Sequence, residues 1–190
     1  MAKIIKYIRS DYYRYVGKND PLWKMILFSL RSHCFRFCLW YRLASQQNIL
    51  QPAARVVRAM IASRYGILIS RKTKIGYGLY IGHGYGIIVN SSAIIGNNCN
   101  ISQFTTIGAN EGAAAEIGDN VYIGPNVCLV ENVHIGNNVS IGAGAVVTKD
   151  IPDNATAVGV PAKVINFDNI IVQILVGLIL SIGSTLLISL

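Results

Sequence analysis

Residues 117–148 read IGDNVYIGPNVCLVENVHIGNNVSIGAGAVVT, and they decide the fold. Ile117, Ile123, Leu129, Ile135, Ile141 and Val147 keep a spacing of six without exception. Upstream, Ile95, Ile101 and Ile107 keep the same step, as do Ile75 and Ile81. A fixed period sets the architecture before any local structure is considered. Six suits neither one long strand nor a helix of period 3.6. It suits a coil with three flat faces, each a short strand and a corner, with one aliphatic residue per six pointing to the axis. The corners read Gly96-Asn97-Asn98, Gly118-Asp119-Asn120 and Gly136-Asn137-Asn138. Gly and Asn tolerate the left-handed backbone that a tight corner needs. The reading is a mainly β chain built on a parallel β-helix.

The period breaks twice. From Ile81 to Ile95 the chain carries two residues beyond two sixes, and that interval holds Gly82-His83-Gly84-Tyr85-Gly86. From Ile107 to Ile117 it carries four beyond one six, around Asn110-Glu111-Gly112-Ala113. Insertions leave such a coil as loops, and the face that carries them is often the binding face. Both bulges are therefore expected on one face.

Charge divides the 190 residues unevenly. Residues 1–74 hold 15 of the 17 Lys and Arg but only Asp11 and Asp20. Beyond them, Lys149 and Lys163 stand against seven acids. A basic arm beside a mildly acidic body points to an anionic partner such as lipid headgroups, nucleic acid or a phosphorylated substrate. No nucleic-acid module accompanies it, so nucleic acid is not expected. Cys34, Cys38, Cys99 and Cys128 have no metal-ligand or disulfide spacing and read as buried free thiols. The start lacks the pattern of a signal peptide, which predicts a cytoplasmic protein.

The organisation follows from these shifts. Residues 1–64 form a basic, aromatic-rich helical segment, with a first helix ending near Gly17. A second is expected over 22–46, opened by Pro21, and a third from Pro52 to Ser63. The basic, apolar 22–46 helix suits a membrane surface or packing within the protein. His33 within it reads as a packed helix residue. Residues 65–166 form the coil, with a first strand over 65–70 and a cap after Asp150. Residues 167–190 form a C-terminal apolar helix. The uncharged run 169–190 would be about 33 Å long as a helix, enough for a hydrocarbon core of roughly 30 Å. The alternative is packing on the coil or between subunits.

The hexad array, Ile-Gly-His at 81–83, Gly-Ala-Val-Val-Thr-Lys-Asp-Ile-Pro at 144–152 and Gly-Val-Pro-Ala-Lys at 159–163 resemble the hexapeptide-repeat acyltransferases. The nearest likeness is to the serine acetyltransferase branch and its relatives in capsule and exopolysaccharide clusters. It covers about 65–166. The resemblance implies a left-handed parallel β-helix, a homotrimer with sites between coils, and acetyl-CoA as acyl donor with no metal. It implies His83 as general base. It also implies coenzyme binding at Pro125, Ala143, Thr148, Lys149 and Lys163. His134 lies in an uninterrupted repeat and reads as a surface or intersubunit residue.

Three departures bear on the acceptor. Serine acetyltransferases carry an aspartate where this chain has Leu68, and a second histidine where it has Ala114. Their helical domain is also about twice as long. What orients His83 is left open, with Glu111 as one source of a carboxylate. These departures, the basic arm and the apolar tail predict O-acetylation of a sugar or glycan precursor at the inner membrane face, through 22–46 and 169–190. The alternatives are serine O-acetylation and a non-catalytic scaffold. A γ-type carbonic anhydrase-like scaffold would need three metal-binding histidines, and the coil has His83 and His134 only.

Overall fold

The computed structural model describes residues 2–167. The expected apolar helix over 169–190 lies outside them. Four helices precede a three-sided parallel coil: α1 (Ala2–Val16), α2 (Leu22–Arg31), α3 (His33–Ser45) and α4 (Gln51–Tyr65).

The single helix expected over 22–46 is two helices. Ser32 separates them in an extended conformation (φ −101°, ψ 108°). Its N–H closes α2 on the Phe28 carbonyl, and its side chain accepts from the Phe35 N–H to cap α3. A serine oxygen satisfies a first-turn donor that the helix itself cannot. The expected first strand also shortens, because Tyr65 ends α4 and the coil begins at Leu68.

The first face of the coil stacks β1 (Leu68–Ile69), β4 (Ile88–Val89), β7 (Thr106–Ile107), β10 (Cys128–Leu129) and β13 (Val146–Val147). The second stacks β2 (Lys74–Ile75), β5 (Ile94–Ile95), β8 (Glu116–Ile117) and β11 (His134–Ile135). The third stacks β3 (Tyr80–Ile81), β6 (Asn100–Ile101), β9 (Tyr122–Ile123), β12 (Ser140–Ile141) and β14 (Ala155–Val158). There β15 (Lys163–Phe167) closes the end antiparallel to β14. The architecture fits the expected β-helix of the left-handed form.

Each two-residue strand turns its second residue inward, so Ile69, Ile81, Ile95, Ile107, Ile123, Ile135 and Val147 are all buried. Burying one such side chain is worth about 1.5–3 kcal/mol. Asn98, Asn120, Asn138 and Asn154 take positive φ at the corner after the second face. Their side-chain amides hydrogen-bond in a ladder from coil to coil.

The register shows where the extra residues go. Ile117 pairs with Ile135 eighteen positions on. Ile75 pairs with Ile95 across the His83 segment at a separation of twenty. Ile95 pairs with Ile117 at twenty-two, because it spans the second insertion. The insertions do not share a face, contrary to the expectation. Residues 82–86 leave after β3, at the edge from the third face to the first, whereas 109–113 leave after β7, at the edge from the first to the second.

The helices cover the start of the coil. Arg42 bonds both oxygens of Asp11 at 2.7 and 2.9 Å, and the carbonyls of Ile75 and Gly76 at 2.8 and 2.6 Å. Asp11 also accepts from the Leu79 N–H. Tyr41 adds a hydroxyl bond to the Thr73 carbonyl. No helix of the described residues is long and apolar enough to cross a membrane.

Candidate active site

The His83 turn is held by three helices as well as by the coil. Just before it, the Tyr15 hydroxyl of α1 both accepts from the Ile81 N–H and donates to the Ile81 carbonyl, each at 3.0 Å. Cys34, in the first turn of α3, accepts from the Gly84 N–H at 3.2 Å and lies 3.5 Å from the Gly82 carbonyl. Gly86 donates to the carbonyl of Tyr65, the last residue of α4. Tyr85 donates back to the His83 carbonyl.

Two glycines allow this packing. A Cβ at Gly84 would stand 3.0 Å from the Ile67 side chain and 3.2 Å from the Cys34 sulfur. Gly86 has φ +63°, and a Cβ there would meet the Phe104 ring at 2.5 Å. The backbone is therefore clamped on both sides of His83, while its side chain is exposed.

An aromatic group stands beside it. His33 stacks on Tyr65 with ring centroids 4.5 Å apart and 20° between planes, and meets Tyr85 at 5.1 Å. Tyr65 and Tyr85 are edge to face at 5.5 Å. Burial holds the His33 imidazole below its ordinary pKa, and the charges of Arg36 and His83 push the same way. The helix residue that reads as simple packing is thus also a neighbour of the His83 turn. No sequence signal within α3 gives this, because the contact is made fifty residues away. The Cys34 thiol is pushed up by burial, against the pull of the Gly84 N–H, so it serves as a neutral hydrogen-bonding group.

The carboxylate question has a plain outcome. No Asp or Glu occurs between Asp20 and Glu111. Leu68 is exposed on β1, and Ala114 is buried with its N–H on the Ser92 hydroxyl. Glu111 is exposed, and its backbone N–H is held by the Glu131 carboxylate, which also accepts from Asn110 and Gly112. These bonds, that of Gly112 first, hold the Glu131 carboxyl below its usual range. Within one chain, Glu111 and His83 belong to different edges of the coil.

The residues expected to bind coenzyme divide between two edges. Pro125 follows β9 and Ala143 follows β12, so both lie on the edge that carries His83. Gly144 donates to the Pro125 carbonyl at 2.8 Å, which ties the two corners together. At about 4.8 Å per coil, three steps separate His83 from Ala143 by roughly 14 Å. Lys163 opens β15 opposite Val158, at the cap end of the third face. Thr148 and Lys149 follow β13 and belong to the next edge, exposed to solvent. The 159–162 turn packs on β13, since Val146 donates to Gly159 and Ala162 donates to Val146. Both lysines therefore sit at the same end of the coil. His134 is exposed, 4.0 Å from Glu116. Among the described residues no group of three or more His, Cys, Asp or Glu is placed to hold a metal ion.

The family model described as bacterial transferase hexapeptide (six repeats) matches residues 114–149. A serine acetyltransferase of Staphylococcus aureus (strain MSSA476) is 30% identical over 174 residues, covering 88% of this chain and 80% of its own. The crystal structure of Neisseria gonorrhoeae serine acetyltransferase in complex with serine matches with a TM-score of 0.71 and 31% identity, over 86% of this chain and 69% of that one. A serine acetyltransferase in complex with CoA matches with a TM-score of 0.71 and 25% identity, over 86% and 70%.

Proposed function

The chain belongs to the serine acetyltransferase-like branch of the hexapeptide-repeat acyltransferases, and from that premise we propose that it moves the acetyl group of acetyl-CoA to the hydroxyl of serine or a similar small acceptor. It is an acyltransferase, with acetyl-CoA as donor substrate. The sugar acceptor expected from the sequence gives way as the main reading, because the likeness to serine acetyltransferases extends through the helical segment to 88% of the chain.

One observation carries the mechanism: His83 stands out from a turn clamped on both sides, on the coil edge shared with Pro125 and Ala143. In this reading the neutral imidazole takes the acceptor hydroxyl proton as the oxygen attacks the thioester carbonyl. The tetrahedral intermediate collapses, the C–S bond breaks, and the proton passes to the departing thiolate. Backbone N–H groups of a glycine-rich turn are suited to receive the developing oxyanion. Pro125 and Ala143 line the pantetheine arm, with Thr148, Lys149 and Lys163 towards the nucleotide. No covalent enzyme intermediate is formed.

We propose a homotrimer in which the 109–113 edge of one coil faces the His83 edge of the next. Glu111 of a neighbouring copy then supplies the carboxylate that His83 lacks within its own chain.

A sugar or glycan hydroxyl is the second reading, favoured by Leu68 and Ala114. We propose a location at the inner membrane face, and the exposed face of α2 suits contact with a lipid surface. At about 100° per residue, Leu22, Trp23, Ile26, Leu27 and Leu30 fall in one arc of about 140°. All five are exposed, with Lys24 and Arg31 beside them.

The test is CoA release from acetyl-CoA with serine, free sugars, nucleotide sugars and lipid-linked glycan extracts, for the protein and for His83→Ala. Turnover with serine that falls by about 10²–10⁴ in the variant is expected for a general base. A trapped acetyl-enzyme without acceptor would count against direct transfer. Loss of saturable CoA binding would return the chain to the scaffold reading.

A further inference from the structure

One bulky residue takes a backbone that its neighbours up the coil leave to glycine and asparagine. At the corner from the third face to the first, successive coils place Gly86, Phe104, Asn126 and Gly144 in the left-handed region, at φ +63°, +58°, +57° and +72°. Glycine has no Cβ to clash there and asparagine tolerates it, whereas an aromatic residue is strained. The Phe104 side chain is 54% exposed, so its own burial offsets little of that strain. The preceding residue adds a second cost. Gln103 Oε1 is buried without a hydrogen-bond partner, and its desolvation is uncompensated. Strain of this kind persists where the surroundings enforce it, and it gathers at ligand sites.

The surroundings here are the candidate active site. The Phe104 N–H bonds the Tyr85 carbonyl at 2.9 Å, and the Tyr85 N–H bonds the His83 carbonyl, also at 2.9 Å. The Phe104 ring lies over Gly86, so close that a Cβ on that glycine would stand 2.5 Å from it. On the other side, the N–H of Asn126, next to Pro125, bonds the Gln103 carbonyl at 3.0 Å. Phe104 therefore occupies the one coil between the His83 turn and the Pro125 corner, about 4.8 Å from each along the axis.

We propose that Phe104 is a specificity-determining residue whose ring walls the acyl pocket, so that the enzyme takes acetyl and excludes longer acyl chains. The inference rests on the donor reading above, in which the pantetheine arm passes Ala143 and Pro125 towards His83. On that path the thioester falls at the level of the intervening coil, which is the coil of Phe104. A methyl group packs against the ring. Each further methylene has to displace the ring, and the Gly86 backbone stands directly behind it.

Phe104→Asn tests this, because asparagine holds the same left-handed corner one coil on, at Asn126. Acetyl-CoA and butyryl-CoA are compared on the full chain, by CoA release with an acceptor and by calorimetry without one. The wild type should favour acetyl-CoA by about tenfold or more in kcat/KM, as exclusion of added methylenes from a tight pocket implies. Phe104→Asn should lose most of that preference, and the binding ratio should move the same way. Phe104→Gly, which also fits the backbone, should match it, while Phe104→Leu should keep much of the preference. An unchanged ratio in Phe104→Asn and Phe104→Gly overturns the proposal. So does a rise in the acceptor KM alone, which would set the ring on the acceptor side. Failure of the donor reading looks different: neither acyl-CoA binds the wild type, and the proposal falls with it. If acyl-CoA binds but no acceptor turns over, the binding ratio decides the wall by itself.

Discussion

Asp11 presents both carboxylate oxygens to Arg42, at 2.7 and 2.9 Å, inside the junction between α1, α3 and the first coil. Arg42 also donates to the carbonyls of Ile75 and Gly76, so one buried pair fastens helices to coil. Asp11→Ala leaves the guanidinium buried without a counter-charge and should cost about 3–5 kcal/mol. A double replacement, Asp11→Leu with Arg42→Met, should cost less than Asp11→Ala alone. Urea unfolding of the three proteins checks this.

Cys34 holds the His83 turn through the Gly84 N–H. Cys34→Ala removes the acceptor from the Gly84 N–H and opens space beside Gly82. A small displacement of a reacting group is expensive in rate, so kcat should fall about tenfold or more, with little change in the KM for acetyl-CoA. Steady-state kinetics distinguish the two. The raised thiol pKa also predicts slow alkylation of Cys34 in the folded protein, measured by mass spectrometry.

Glu131 gives the 110–112 turn a pH limit. Its folded pKa lies below the ordinary value of 4.5, so its contribution is present above that value and is lost as pH falls through the folded pKa. Amide protection at Asn110, Glu111 and Gly112 should therefore weaken in acid and not in base. Glu131→Gln should show the weakened protection at neutral pH, by hydrogen exchange.

The α2 face predicts a surface-binding phenotype. Trp23→Glu with Leu27→Glu should abolish co-flotation with vesicles rich in anionic phospholipid and leave CoA release in solution unchanged. Flotation equal for wild type and variant would remove α2 as the contact. Self-association lost in the variant would assign the face to another copy.

The coil was legible because its signal is one-dimensional. Ile75, Ile81 and Ile95 through Val147 mark the inward positions, and the register follows their spacing residue for residue. The separate edges of the two insertions are also legible in the same spacing, against the general tendency of insertions to gather on one face. Ile81 closes the third side of a coil and Ile107 the first side of another. The break at Ser32 was less accessible, since Trp23 to Tyr41 reads as one apolar run and the break rests on one serine cap. His83 could be singled out from its glycines and the family likeness. His33 could not, because only the folding of α3 onto β3 brings it to that turn. The missing counterpart at Leu68 was visible in the sequence, but the clamp by Cys34 and Tyr15 was not, since both contacts join distant segments.

The asparagine ladder restricts how this gene can change length. Asn120 hydrogen-bonds Asn138 eighteen positions on, and the inward aliphatic residues repeat at the same interval. Removing or duplicating one whole turn within 117–147 returns every corner to a corner and every core residue to the core. Any other small in-frame change must leave the coil as a loop, as residues 82–86 and 109–113 already do. Lineages of this protein can therefore lengthen the body in quantised steps, while new chemistry enters through departures from the step.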